Sequence, residues 1–301
     1  MFEKNQISGG IKMENKITGH TRLAALFATP IRHSVSPMIH NTAFQALGID
    51  AVYLAFEVGT QGLSQAIDSI RNLEMLGANL SMPNKILAVE HMDELSEAAR
   101  LIGAVNTITN DNGKLTGHNT DGTGFMRSLE DIDVNIIGKK MTIIGAGGAA
   151  TAIIVQAALD GVKEITVYNR KDDFYDNIKK KLAYISDNTD CIITLHDLAD
   201  QNELAKDVAG SALLLNATGV GMKPLETQTP IQDFSIIRPD LAVCDVIYTP
   251  RETEFLKQAR LRGAKTNNGL GMLLYQGAAA FEKWTGKEMP IEIVKPIIEN
   301  N

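Results

Sequence analysis

The clearest candidate for a ligand-binding motif in this chain is a turn of small residues, Gly145-Ala-Gly-Gly-Ala-Ala150. Their spacing, Gly145-x-Gly147-x-x-Ala150, is a variant of the dinucleotide fingerprint. In that motif the first glycine permits a tight turn, the second lets a pyrophosphate approach the backbone, and a small third residue lets helix and strand pack closely. The phosphates would face the unpaired N–H groups at the start of a helix. The alternative is a turn that serves packing alone.

The elements around this turn favour the dinucleotide interpretation. Residues 141–144 are apolar and predict a strand, and the alanine-rich run after the turn predicts a helix. Residues 164–168 predict a second strand, which closes a βαβ unit of about thirty residues, the length that the motif requires. Residues 141–159 carry no charge, but their glycines and the polar Thr142, Thr151 and Gln156 argue against a membrane span.

The end of the second predicted strand bears on the choice of dinucleotide. An acidic residue at this place binds the ribose hydroxyls of NAD, whereas a basic residue accommodates the 2′-phosphate of NADP. The chain has Asn169, Arg170, Lys171 and Asp172 in succession. The basic pair favours NADP and Asp172 favours NAD, so both cofactors stay open.

Other polar residues lie in the first half of the chain. Ser34 and Ser36 precede Pro37, which suits a first helical turn, so Ser36 could cap a helix and both hydroxyls could hold an anion such as a carboxylate. Lys85 follows a short predicted strand and a turn, at a predicted helix start, where a lysine is usually a solvated surface group. Asp121 precedes a glycine and could be a turn former or a helix cap.

Composition sets the class of protein. The chain has 301 residues, of which 44% are apolar and 22% charged, with a net charge of −7. This indicates a globular protein large enough for two domains, and disfavours nucleic acid or an anionic membrane as partner. Two cysteines do not make a disulfide framework, and we expect no metal site. We expect residues 1–20 to form a flexible tail; they lack the apolar segment of a signal peptide, which makes the cytoplasm the default location.

Predicted strands and helices alternate along the chain in two blocks, which indicates the α/β class. The predicted strands end in small or polar residues, and ligands bind at such carboxyl ends. We expect a helix over residues 63–76, a turn over residues 266–272 and a closing helix over residues 273–284. Further strands are predicted at residues 22–28, 52–56, 77–80, 107–109, 212–216 and 241–248.

Several stretches together resemble one family, the shikimate dehydrogenases, from near residue 20 to the C-terminus. Eight motifs occur in the family's order, which favours the catalytic interpretation of Lys85 and Asp121. They are Pro30-Ile-Arg-His-Ser-Val-Ser-Pro37, Pro83-Asn-Lys85, Gly103-Ala-Val-Asn-Thr107, Asn119-Thr-Asp-Gly122, Gly145-Ala-Gly-Gly-Ala149, Asn169-Arg170, Asn216-Ala-Thr218 and Gly269-Leu-Gly-Met-Leu273 with Gln276.

The resemblance implies two domains. An N-terminal α/β substrate domain would comprise residues 21–124 and the returning helices of residues 266–301. A Rossmann NAD(P)-binding domain would comprise residues 125–265, with the substrate in the cleft between them. A homodimer through the N-terminal domain is compatible with the resemblance, although no sequence feature requires it.

The resemblance also implies roles for individual residues. Lys85 would be the acid/base. A neighbouring carboxylate favours its ammonium form, which is a ready proton donor for reduction, whereas oxidation requires a neutral amine and therefore desolvation or a positive neighbour such as the oxidised nicotinamide. Asp121 would orient Lys85 and bond a neighbouring substrate hydroxyl. Ser34, Ser36 and Tyr248 would bind the substrate carboxylate, and Ser81, Asn106 and Gln276 its ring hydroxyls. The cofactor would contact Gly145, Ala146, Gly147, Gly148, Ala149, Asn169, Arg170, Lys171, Asp172, Thr218, Gly219, Val246, Gly269 and Met272.

The implied activity is NAD- or NADP-dependent oxidation of shikimate, a step of aromatic amino acid biosynthesis, and of quinate. Ser81 stands where the family usually has Thr, and Lys171-Asp172 follows Arg170 where Thr or Ser is common. Three segments resemble the quinate/shikimate dehydrogenase subgroup: Ser81-Met-Pro-Asn-Lys85, Met222-Lys-Pro-Leu-Glu226 and Trp284-Thr-Gly-Lys287. Two alternatives remain: a homologue that acts on a related amino- or hydroxy-cyclohexane carboxylate, which turnover would distinguish, and a silent sensor, which an intact Lys85 and Asp121 disfavour.

Overall fold

The computed structural model describes residues 17–300. Most of the tail predicted for residues 1–20 therefore lies outside the described residues. The strands are β1 (Arg22–Ala28), β2 (Ala51–Glu57), β3 (Gly77–Leu80), β4 (Glu94–Leu95), β5 (Thr107–Asp111), β6 (Lys114–His118), β7 (Lys140–Ile144), β8 (Glu164–Asn169), β9 (Ile192–Asp197), β10 (Leu213–Asn216), β11 (Ala242–Asp245) and β12 (Lys265–Asn267).

Helices connect most of these strands, so the α/β class is confirmed. The α-helices are α1 (Ser36–Ala46), α2 (Leu63–Asn72), α3 (Glu97–Ile102), α4 (Asp121–Ser128), α5 (Gly148–Leu159), α6 (Tyr175–Asp187), α7 (Gln201–Gly210), α8 (Glu254–Leu261), α9 (Gly269–Thr285) and α10 (Ile291–Glu299). Short 3₁₀ helices occupy Thr60–Gly62, Leu87–His91, Glu130–Ile132 and Phe234–Ile236.

The strands form two six-stranded sheets. The first has the order β2-β1-β3-β5-β6-β4, in which β5 is antiparallel to both of its neighbours. The second is parallel throughout, with the order β12-β11-β10-β7-β8-β9. Read from β9, this is the 3-2-1-4-5-6 order of a doubly wound dinucleotide-binding sheet. The crevice of such a sheet lies where the order reverses, between β7 and β10.

Two helices, α4 and α9, pack against each other where the two sheets meet. Their backbones approach closely: a Cβ atom at Gly124 would lie 2.5 Å from the Met272 carbonyl oxygen, and one at Gly271 would lie 2.6 Å from Ser128 Cβ. The Arg127 guanidinium donates two hydrogen bonds of 2.8 Å to the Glu282 carboxylate across the same contact. This packing places the two sheets at a defined separation.

Several predicted boundaries differ from the structure. The strand predicted over residues 241–248 is β11, which ends at Asp245, and the helix predicted over residues 273–284 is α9, which begins at Gly269. Helix α2 ends at Asn72, four residues earlier than predicted, so that the chain can turn into β3. The turn predicted over residues 266–272 is wrong: β12 continues to Asn267, and α9 begins at Gly269 with the Asn268 side chain accepting from the Leu270 N–H. The domain limits at 124/125 and 265/266 fall inside α4 and β12, and remain a proposal.

Candidate active site

Lys85 and Asp121 form an ion pair although they belong to different elements. Lys85 follows β3, and Asp121 is the first residue of α4. The Lys85 Nζ atom lies 2.7 Å from Asp121 Oδ2, with side chains 28% and 16% exposed. The pair is therefore sheltered but accessible, as a group that exchanges a proton with a bound molecule must be.

The Asp121 carboxylate is held on its second oxygen as well. Asn106 Nδ2 donates to Asp121 Oδ1 at 2.8 Å, and Asn106 Oδ1 accepts from the Thr120 N–H at 2.9 Å. Asn119 Oδ1 accepts from the Asp121 N–H at 3.2 Å. These bonds come from the strand ends of β5 and β6, so the sheet itself orients the carboxylate.

The loop that carries Lys85 is fixed by its neighbour, Asn84. The Asn84 side chain is fully buried and donates to the carbonyl oxygens of Phe27 at 3.2 Å and Val58 at 2.8 Å, at the ends of β1 and β2. Within the part of the chain that the structure describes, its own Oδ1 atom is buried and has no hydrogen-bond partner. The loop is thereby tied to the carboxyl edge of the first sheet.

A cavity of about 830 Å³ opens beside the ion pair, between the two sheets. All the predicted catalytic and substrate-binding residues line it, together with four of the residues predicted to contact the cofactor. The first group is Lys85, Asp121, Ser34, Ser36, Ser81, Asn106, Tyr248 and Gln276; the second is Ala149, Val246, Gly269 and Met272.

The two serines reach the cavity at the start of α1, but not as predicted. The N-cap residue is Val35, and Ser36 is the first helical residue, so the prediction that Ser36 caps the helix is wrong. Ser34 Oγ instead accepts from the Ser36 N–H at 3.2 Å. Both hydroxyls remain beside the helix start, where an anion is favoured.

Asn79, which no sequence motif indicated, also lines the cavity. It is 7% exposed; its Oδ1 accepts from the Tyr53 hydroxyl at 2.8 Å, and its Nδ2 donates to Thr107 Oγ1 at 3.0 Å. Burial raises the pKa of Tyr53 well above its usual value, so this hydroxyl keeps its proton. The available signal was an asparagine within an otherwise apolar buried strand.

The glycine-rich turn fits a dinucleotide. Gly145 has a φ of +104°, and a Cβ there would lie 2.8 Å from the Ala217 carbonyl oxygen. Cβ atoms at Gly147 and Gly148 would meet nothing within 4 Å, so open space lies beside the first turn of α5. Helix N–H groups next to open space suit a pyrophosphate.

The other predicted cofactor residues lie at neighbouring strand ends, outside the cavity lining. Thr218 and Gly219 follow β10. Asp172 Oδ1 accepts from the Phe174 N–H at 3.0 Å, which shapes the turn after β8. Residues outside the lining are Gly145, Ala146, Gly147, Gly148, Asn169, Arg170, Lys171, Asp172, Thr218 and Gly219.

Within residues 17–300, no three or more His, Cys, Asp or Glu side chains gather as metal ligands would. None of the helices in this part of the chain has the length and apolar character needed to cross a membrane.

Comparisons with known proteins agree with this geometry. Two family models match: the shikimate dehydrogenase substrate binding domain over residues 26–108, and the shikimate 5'-dehydrogenase C-terminal domain over residues 269–298. A shikimate dehydrogenase (NADP(+)) of Listeria monocytogenes serotype 4b is 55% identical over 287 residues, covering 95% of this chain and 99% of the relative.

Solved structures give the same result. The crystal structure of shikimate 5-dehydrogenase from Listeria monocytogenes, in complex with shikimate and NAD, matches with a TM-score of 0.92 and 55% identity, covering 95% of this chain and 99% of that one. A quinate dehydrogenase from Corynebacterium glutamicum in complex with NAD matches with a TM-score of 0.82 and 28% identity, covering 93% and 99%.

Proposed function

The chain belongs to the shikimate dehydrogenase family, and we propose that it catalyses the reversible, NAD(P)-dependent oxidation of shikimate to 3-dehydroshikimate. The observation that carries this proposal is the Lys85–Asp121 ion pair, which borders a cavity whose lining also includes Ala149 of the glycine-rich turn. The name and activity of the 55% identical relative support it.

Lys85 is the proposed acid/base of the reaction. A bound NAD or NADP supplies the hydride chemistry. In the direction of reduction the Lys85 ammonium donates its proton to the carbonyl oxygen of the substrate, and in the direction of oxidation the neutral amine accepts the hydroxyl proton. The Lys85 Nζ atom donates to Asp121 Oδ2 at 2.7 Å, and this hydrogen bond orients the Lys85 side chain for the proton transfer.

The substrate is held by short polar groups around the cavity. We assign its carboxylate to Ser34, Ser36 and Tyr248, because two of these hydroxyls lie beside the start of α1. The ring hydroxyls are assigned to Ser81, Asn106, Asp121 and Gln276. Such a site discriminates strongly, since an analogue that lacks one hydroxyl leaves a buried polar group unpaired.

The cofactor assignment follows the second sheet. Its pyrophosphate is assigned to residues 145–149, its adenine ribose to residues 169–172, and its nicotinamide to Thr218, Gly219, Val246, Gly269 and Met272. The backbones of Gly269 and Val246 approach closely, since a Cβ at Gly269 would lie 2.0 Å from the Val246 carbonyl oxygen. These two nicotinamide residues therefore lie side by side. Both NAD and NADP are proposed as cofactors, with Asp172 and Arg170 as the residues that would decide between them.

We extend the proposal to quinate, with 3-dehydroquinate as its product. Ser81 supports this extension, because a serine has one methyl group fewer than the threonine usual in the family and leaves room for one more hydroxyl. The likeness to a quinate dehydrogenase supports it too. The alternative function is the same chemistry on a related amino- or hydroxy-cyclohexane carboxylate.

We also propose that two copies associate through β2. This strand lies at the edge of the first sheet, and its Leu54 and Phe56 side chains are 48% and 39% exposed. An apolar edge strand is a template for pairing with another strand. Sedimentation velocity at increasing concentration tests this, with Leu54→Lys expected to give a monomer; a wild-type monomer would contradict it.

The test of the function is a two-by-two steady-state assay at the nicotinamide absorbance band. Shikimate or quinate is paired with NAD or NADP, and kcat/KM is measured for each pair. Turnover of shikimate supports the proposal, and turnover of quinate its extension. If all four pairs are inactive, the assignment of the cavity is wrong and the alternative substrates become the next to assay.

A further inference from the structure

Asp245, at the end of β11, is a buried carboxylate without a basic partner. It is 1% exposed, and within residues 17–300 its bonds come from the Ile247 N–H at 3.0 Å, Asn216 Nδ2 at 3.2 Å and Thr253 Oγ1 at 2.9 Å. Burial raises the pKa of Asp245 to about 6. Burying a charge without an opposite charge costs stability, so stability alone does not explain an aspartate here.

Two of these bonds hold one segment, residues 246–252, at both ends, and the third anchors Asp245 itself to Asn216 of β10. Ile247 is near its start, and Thr253 follows its end as the N-cap of α8. Both backbone polar groups of Ile247 are bonded: its N–H donates to Asp245, and its carbonyl oxygen accepts from the Gly269 N–H at 2.9 Å. One carboxylate thus ties the segment to β10, to α8 and, through Ile247, to the start of α9.

The segment held in this way forms a wall of the cavity. Val246, Tyr248, Thr249, Pro250 and Arg251 all line it. Tyr248 is 45% exposed, so few packing contacts fix its side chain, and the position of its hydroxyl depends on the backbone of the segment. A shift of this backbone would move the Tyr248 hydroxyl relative to Ser34 and Ser36 on the other side of the cavity.

We propose that Asp245 is a positioning residue: it holds residues 246–252 in the geometry that presents Tyr248 to the substrate carboxylate. The part that concerns the carboxylate rests on the proposed function. The part that concerns the segment does not, because the three hydrogen bonds exist without any ligand.

The first test measures amide hydrogen exchange over residues 246–253 in the protein without ligands. Asp245→Ala is expected to exchange faster there by at least about tenfold, because the bonds that hold the segment are lost. Asp245→Asn is expected to restore protection, since its oxygen still accepts from Ile247 and its amide can donate to Thr253. Unchanged exchange in Asp245→Ala would overturn the proposal.

A matched control separates this effect from general destabilisation. Asp200 is an exposed aspartate that caps α7 through the Glu203 N–H at 3.0 Å. Asp200→Ala removes the cap of α7, a helix that connects two strands of the same sheet, and is expected to leave exchange over residues 246–253 unchanged. Should Asp245→Ala fail to fold, Thr253→Val removes the bond to Asp245 together with the cap bond from the Leu256 N–H. It is expected to speed exchange over residues 246–252, whereas Thr253→Ser, which keeps the hydroxyl, is expected to leave exchange there unchanged.

The second test is a double-mutant cycle with Tyr248→Phe, scored as KM for the carboxylate that the wild type turns over. Asp245→Ala is expected to raise KM at least about tenfold, the worth of one hydrogen bond to a charged group. In the Tyr248→Phe background the rise should fall to under about threefold.

An equal rise in both backgrounds would mean that Asp245 does not act through Tyr248, and would overturn the carboxylate part of the proposal. If the wild type turns over neither shikimate nor quinate, the proposed function fails instead. The exchange experiment then still decides whether Asp245 holds the segment.

Discussion

His40 gives a quantitative prediction about acid stability. It lies in α1 beneath Ser36, is 1% exposed and stacks on Tyr53 with ring centroids 4.4 Å apart. Its Nδ1 atom is buried and has no hydrogen-bond partner among residues 17–300. Burial lowers the pKa of His40 from 6.5 to about 3, so the ring stays neutral in the folded protein.

The sign of the effect follows from this direction. The unfolded chain binds a proton at His40 near pH 6.5, whereas the folded protein does so only near pH 3. The contribution of His40 to stability is therefore complete above pH 6.5 and is lost as the pH falls toward 3. Between pH 7.5 and pH 4.5, the two pKa values correspond to a loss of about 3 kcal/mol.

The perturbation that tests this is His40→Leu, which is apolar, does not titrate and is close in size. Urea unfolding is followed by circular dichroism at pH 7.5 and pH 4.5. The wild type is expected to lose about 3 kcal/mol more than the variant between these pH values. Other titrating groups contribute equally to both proteins and cancel. An equal loss in both proteins would refute the reasoning.

Three further predictions concern other buried groups. Burial raises the pKa of Asp245 from 3.8 to about 6, so the folded protein loses stability as the pH rises from about 4 to about 6; urea unfolding at pH 8 should show Asp245→Asn more stable than wild type by up to about 3 kcal/mol. Gly124→Ala places a Cβ against the backbone of α9 and should cost about 1–3 kcal/mol in thermal unfolding, whereas Gly210→Ala, whose Cβ would have ordinary contacts, should not. Asn84→Ala frees the Lys85 loop and should lower kcat at least about tenfold in steady-state assays, whereas the exposed Asn188→Ala should not; an unchanged kcat would contradict the role of Asn84.

The parts of the fold that sequence predicted are those with strong local patterns. Strands β1 and β7 each lie between two other strands and are buried on both faces, so their sequences are continuous apolar segments. Strand β9 lies at the edge of its sheet and alternates exposed with half-buried residues, including Ile192 at 59% exposure, and its pattern was too weak to predict it.

The start of α9 shows why propensity alone failed. Gly269 and Gly271 lower helix propensity and favour a turn. Their places are set by distant backbone, since Cβ atoms there would clash with Val246 and Ser128. The Asn268 N-cap was the one local signal for a helix start.

The site was predictable to the extent that short motifs carry it. Motif resemblance indicated Lys85 and Asp121, and the structure brings them to within 2.7 Å. The roles of Asn79 and Asp245 were not predicted, because they depend on hydrogen bonds to distant residues. The partners, Tyr53 and Asn216, lie 26 and 29 positions away in the sequence, and only folding brings them together.

The central claim is that Lys85 transfers the proton, and the most direct measurement is kcat of Lys85→Ala with shikimate and saturating cofactor. General acid–base catalysis predicts a fall in kcat of at least about a hundredfold, with KM for the cofactor little changed. An unchanged kcat with a raised KM for shikimate would contradict the claim, and would make Lys85 a residue that binds the substrate without taking part in the chemistry.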